Sequence, residues 1–275
     1  MVAPFCIYEQ LSKMKLKLSK LLPTLLLCIG MLTGCGTDDS LQFVELSLTT
    51  QQTEQIPSGS VEVGDSQQCF FDLSQIPEYA GDAYVTVNGN IPFFTHNEST
   101  GQSFETYSPL DELGRCGTAF ACVGQDLMPT EERGSIGQIK PSGWHLVKYD
   151  CVDGKYLYNR CHLIGYQLTA ENANQCNLIT GTRYLNIEGM LPFENQIADY
   201  VQQTGNHVLY RVTPIFEGDN LLASGVLMES YSVEDSGDRI CFCIYAYNVQ
   251  PGVQIDYATG ESVLANVLPF EPVEQ

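Results

Sequence analysis

Between Tyr158 and Glu194 the chain reads YNRCHLIGYQLTAENANQCNLITGTRYLNIEGMLPFE. His162 is the residue there best suited to move a proton near neutral pH, because imidazole titrates in that range and can take a proton from water. Asn186 offers an amide oxygen, a hard donor of the kind that suits Mg2+, a cation that keeps several waters and needs few protein ligands. Arg160 and Arg183 carry guanidinium forks that match phosphate oxygens bidentately; a structural ion pair is the other use of each. An activated water, a cation on the phosphorus oxygens and help for the leaving oxygen are what phosphodiester hydrolysis requires.

The run Asn159-Arg160-Cys161-His162, followed by Asn177 and Asn186 in the spacing NLITGTRYLN, resembles the signature of the DNA/RNA non-specific endonuclease family, a branch of the ββα-metal finger nucleases. The stretches VLYRVTPIFEGDNLLASGV and YNVQPGVQIDYATGES resemble its secreted streptococcal type, and the likeness spans roughly residues 75–262. It implies a metal-dependent endonuclease that cuts DNA and RNA without sequence choice, using Mg2+ or, as a substitute, Mn2+. It implies His162 as general base, Asn186 as metal ligand and Glu194 in the metal shell. Asn177 is expected to position the His or the metal waters, Arg160 to act with the catalytic group, and Arg183 to grip substrate. Asn159 stands where the signature usually has Asp, and Cys161 where it has Gly, so a strand must tolerate a side chain beside the His. Glu194 lies eight residues after Asn186, about 12 Å along a continuous helix. Either Gly189 and Pro192 break that helix, or Glu194 acts through a metal-bound water.

The elements that must position these groups are legible in part. Trp144–Tyr149 and Tyr156–Leu163 are β-prone and flank Asp153-Gly154, which predicts a hairpin. If its loop is those two residues, His145 faces His162. Irregular chain with several Asn follows to about Gly181, and Thr182 suits the cap of a short helical turn over 182–186. A second helix is expected from Pro192 to about Thr204, ended by Gly205-Asn206, with Ile197, Tyr200 and Val201 as its buried stripe. Tyr84–Val87 before Asn88-Gly89-Asn90, and later Val208–Thr213, Ser224–Met228 and Ile240–Val249, read as strands, the last two joined by a turn over 235–238. The fold class is therefore α+β: a central antiparallel sheet with a ββα-metal finger of hairpin, Asn-rich loop and helix.

The formal net charge of −20 is awkward for a nucleic-acid enzyme. A bound cation supplies positive charge that residue counts ignore. Seven of the nine Lys/Arg beyond residue 35 also lie between Arg115 and Arg183. Acidity thus argues against tight storage of DNA, not against its hydrolysis.

Residues 14–35, MKLKLSKLLPTLLLCIGMLTGC, have a positive start and an apolar run, the architecture of an export signal. Leu32-Thr33-Gly34-Cys35 resembles a bacterial lipobox, which implies a lipid anchor at Cys35 on the outer face of a bacterial membrane. Residues 1–35 are thus read as signal peptide, 36–66 as a polar tether and 67–275 as the folded domain, expected to be a monomer. Eight cysteines follow Cys35. Disulfides are possible with connectivity open; Cys241 and Cys243 are too far apart for one another on a strand, and Cys116 with Cys122 is the better local pair. No CxxC pair or ligand-like His spacing supports zinc. Two rivals stand beside the enzyme: a lipid-anchored nucleic-acid-binding protein with a degenerate site, supported by the acidity and the altered signature, and a disulfide-rich structural domain.

Overall fold

A computed structural model describes residues 71–95, 98 and 101–265; the leader, the tether, Cys35, Cys69 and His96 lie outside the described residues. Six strands form one antiparallel sheet: β1 (Tyr84–Thr86), β2 (Phe104–Tyr107), β3 (Ala119–Val123), β6 (Val208–Ile215), β7 (Gly225–Ser232) and β8 (Cys241–Tyr247), in the order β1-β8-β7-β6-β3-β2. Two two-stranded ribbons accompany it: β4 (Tyr158–His162) with β5 (Leu178–Thr182), and β9 (Val253–Ile255) with β10 (Ser262–Leu264). The strands read from alternation are present, with turns at Asn88–Asn90 and Ser236-Gly237 that use positive φ.

Alternation in β6 sends Val208, Tyr210 and Val212 to one face, where they join Ile197 and Val201 in the main core. The helix carrying those two, α2 (Leu191–Thr204), ends on Gly205 in the left-handed conformation at φ 73°. Its buried face holds the expected Ile197, Tyr200 and Val201, and also Glu194. The opposite sheet face carries an ion pair of half-buried Arg211 with buried Glu229 at 2.7 Å, and Glu229 also accepts from the Phe93 backbone at 2.7 Å.

Three expectations are corrected. First, β4 pairs with β5, not with 144–149, and 163–177, including a short helix α1 (Tyr166–Thr169), connects them. The segment 144–149 touches its neighbour only through a bridge, Lys148 to Tyr156. Their loop is wider than Asp153-Gly154, because Val152 turns inward (3% exposed) to pack with Leu157, Tyr158 and Leu222. This register removes His145 from His162; its Nε2 meets the Thr259 carbonyl at 3.1 Å.

Second, no break separates a turn at 182–186 from a helix at 192. The chain is helical from Arg183 to Thr204. Thr182 is the cap, its hydroxyl accepting from Leu185 N at 2.9 Å. Leu185–Met190 is a π-helical stretch, in which Leu191 N–H reaches back five residues to the Asn186 carbonyl.

Third, Cys116 and Cys122 do not bond; the seven described cysteines are free thiols. Cys122 is fixed within β3, while the Cys116 thiol donates to the Gln175 and Leu178 carbonyls at 3.2 Å each.

Candidate active site

A cleft of about 680 Å³ opens along β4 and the start of the long helix. His162, Arg160, Arg183, Asn186 and Glu194 all line it, together with Arg133. Asn177 does not.

His162 ends β4 and is 7% exposed. Its Nε2 lies 2.9 Å from the Asn172 carbonyl, which can only accept, so Nε2 bears the proton. Nδ1 is then the lone-pair nitrogen, and it accepts from the Arg133 guanidinium at 3.2 Å. Burial pushes the imidazole pKa down to about 4; the Asn172 carbonyl opposes this and the Arg133 charge adds to it. The ring is therefore neutral at pH 7, in one tautomer, with the Nδ1 lone pair on Arg133.

Asn186 sits in the π-helical stretch. Its Oδ1 accepts from the Cys161 thiol at 3.1 Å. Cys161 is 1% exposed, and burial raises its pKa well above the usual thiol range, so it stays a neutral S–H donor. The side chain where Gly is usual is accommodated by Gly181 on β5: a Cβ there would stand 2.7 Å from the Cys161 Cβ.

Glu194 reaches the same cleft because of the π stretch. Eight residues of plain α-helix end about 80° out of phase; absorbing one residue leaves roughly seven, about 20° short of two turns. A break at Gly189 and Pro192 is thus not needed. The Glu194 carboxylate is 7% exposed and accepts from Gly165 N at 2.8 Å. Burial raises its pKa to about 7, against the pull of the Gly165 amide and the Arg133 charge.

Asn177 and Arg160 serve the frame. Asn177 is fully buried, and both ends of its amide are spent on Ile164: Oδ1 accepts from its N–H and Nδ2 donates to its carbonyl, each at 2.9 Å. It pins the chain just beyond His162, spends its amide away from the ring and does not line the cleft. Arg160 donates to the Ile139 carbonyl and, at 2.8 Å, to that of Gly137, while its Cζ lies 4.0 Å over the Trp144 ring. It thereby anchors the loop that carries Arg133. Arg183 pairs with the exposed Asp153 at 2.9 Å.

Arg133 is the residue that the sequence did not single out. It lies in irregular chain 29 positions before His162, with no motif to mark it. Three guanidiniums on one cleft give it a positive wall in a chain of net charge −20.

The family model described as DNA/RNA non-specific endonuclease matches residues 95–234. Among solved structures, NucA from Streptococcus agalactiae with magnesium ion bound is similar at TM-score 0.58 and 24% identity, covering 66% of this chain and 86% of that one. The same protein with no metal bound gives 0.60 and 23%, over 70% and 92%. Sda1 nuclease with bound zinc ion gives 0.55 and 26%, over 67% and 97%. The family match spans half of the sequence and contains His162, Asn186 and Glu194 within its limits; the chain belongs to the DNA/RNA non-specific endonuclease family and is a nuclease.

Proposed function

We propose that this protein hydrolyses phosphodiester bonds of DNA and RNA without sequence choice, with a divalent cation held at Asn186 and His162 as general base. The observation that carries the reading is the His162 ring itself. It is neutral, fixed in one tautomer by the Asn172 carbonyl, and its Nδ1 meets Arg133, which lines the same cleft as Asn186 and Glu194.

The donors fit a hard cation. Asn186 Oδ1 uses one lone pair on the Cys161 thiol and keeps another. The Gly165 amide engages one Glu194 oxygen and leaves the second for a cation or its water. Mg2+ is the ion suited to one amide oxygen plus waters and substrate phosphate, and Mn2+ shares that preference; the S. agalactiae NucA structure holds magnesium and the Sda1 structure zinc. When bound, the cation would neutralise charge on the phosphorus oxygens and aid the leaving oxygen.

His162 Nδ1 takes the proton of the attacking water, and Arg133, its neighbour at 3.2 Å, turns its guanidinium to the phosphate that displaces it. Arg183 offers a second cationic grip at the cleft wall. Asn177 and Arg160 hold the elements that carry these groups. The export signal and the lipid anchor at Cys35 complete the proposal: a monomeric nuclease at the outer face of a bacterial membrane.

Purified protein incubated with plasmid DNA and with RNA, in Mg2+ and in EDTA, tests the reading. Degradation is expected with Mg2+ alone, and its loss in His162→Ala and Asn186→Ala. Intact nucleic acid in Mg2+, with binding retained, would instead identify a binding protein with a degenerate site.

A further inference from the structure

The catalytic cleft has an apolar end that the hydrolytic step does not use. Tyr156, Tyr158, Arg160 and His162 occupy every second position along one extended segment, and all line the cleft. Leu157, Tyr158 and Cys161 are buried, and Asn159 also lines the cleft, so the exposed part of this wall lies at Tyr156. At about 3.3 Å per residue, Tyr156 stands roughly 20 Å from His162, about six nucleotide steps at the rise of a stacked strand.

At that far end Leu146 is 75% exposed and Tyr156 is 44% exposed, and both belong to the cleft wall. Trp144, Val147, Leu157 and Tyr158 pack into the second core cluster, while Leu146, Lys148 and Tyr156 stay exposed beside it. Cations are interleaved with the rings: Lys148 Nζ lies 4.3 Å over Tyr156, and Arg160 Cζ 4.0 Å over Trp144. Apolar surface left in water beside positive charge is the composition that binds a single nucleic-acid strand, with bases on rings and phosphates on cations. A duplex keeps its base faces stacked inside and offers a ring only edges and phosphates.

We propose that Leu146 and Tyr156, flanked by Lys148, form a base-stacking subsite remote from the scissile phosphate, and that the enzyme therefore cuts single-stranded nucleic acid in preference to duplex. The idea rests on the catalytic reading above for its rate consequence, but not for the binding itself.

Two measurements on the full chain separate the two. The first compares kcat/KM on a single-stranded and a duplex oligonucleotide of one sequence. The ratio is expected above one, to fall about fivefold or more in Tyr156→Ala, and to persist in Tyr156→Phe, which keeps the ring. The second places 2-aminopurine in the single strand and follows its quenching by His162→Ala protein; quenching is expected to disappear when Tyr156→Ala is added. Leu146→Ser serves as a second variant should Tyr156→Ala fold poorly. Equal loss on both substrates, an unchanged ratio in both variants, or quenching indifferent to Tyr156 overturns the subsite, as does an apolar end that binds protein and leaves oligonucleotides untouched. Absence of metal-dependent cleavage with Tyr156-dependent quenching intact sinks the catalytic reading alone.

Discussion

The Cys161 thiol donates to Asn186 Oδ1 at 3.1 Å, so a residue where the signature usually has Gly directs the amide expected to meet the metal. One neutral hydrogen bond contributes about 1 kcal/mol, or roughly fivefold in an equilibrium. Cys161→Ala is therefore expected to raise the Mg2+ concentration for half-maximal activity about fivefold, with Cys161→Ser closer to wild type. Mg2+ titrations of activity, beside Mg2+-induced shifts in melting temperature, check this. Unchanged Mg2+ dependence in Cys161→Ala means that the thiol only fills space.

Gly181 and Cys161 form a complementary pair across β4 and β5. A methyl on Gly181 would enter the Cys161 Cβ, so Gly181→Ala is expected to destabilise the fold by about 1–3 kcal/mol. In a Cys161→Gly background most of that cost should vanish. Urea unfolding of the four proteins gives the coupling directly, and strict additivity would refute the steric account.

Acid acts on His162 with a definite sign. Its folded pKa of about 4 lies below the unfolded value near 6.5, so protonation favours the unfolded chain. The stability at stake is whole above about pH 6.5 and is lost as pH falls towards 4, about 3 kcal/mol in all. For the same reason the acid limb of the kcat/KM profile should lie near pH 4, and activity should not fall between pH 7 and 5 through this group. An acid limb at pH 6.5 in the free enzyme would show that the ring is solvated as in a peptide.

Arg133 reaches Nδ1 of the ring that acts as base. Arg133→Met keeps the length of the side chain and removes the charge that lowers the His162 pKa. The ring pKa should rise, the acid limb of the rate profile should move to higher pH with it, and kcat/KM should fall about tenfold through loss of one charge-assisted contact. NMR titration of the His162 ring separates this from a structural defect. A ring pKa that stays in place would exclude the electrostatic contact.

Asn177 acts on the frame. Its amide satisfies both backbone groups of the fully buried Ile164, so Asn177→Ala should cost about 2–4 kcal/mol of stability. The activity that remains should keep the wild-type pH profile, since the Asn177 amide bonds Ile164 and not the ring. A stable variant with a shifted profile would make Asn177 part of the chemistry.

What the sequence determined by itself was local or motif-borne. Alternation specified β6, β7 and β8, and Pro192, Gly205 and an apolar stripe specified α2, because these signals depend on neighbours within one element. The motif picked out His162, Asn186 and Glu194, which do share one cleft. Tertiary structure decided the rest. Val152 turns inward and widens a loop, and β4 takes its partner across 15 residues of connection, which no short-range signal encodes. A π-helical stretch brought Glu194 into phase with Asn186, where the sequence suggested either a break or a metal-bound water. Arg133 came to His162 from an unmarked loop, held by the contacts of Arg160 with carbonyls 21 and 23 residues before it. Residue types fix which groups can do chemistry; only the packing of distant segments fixes which of them meet.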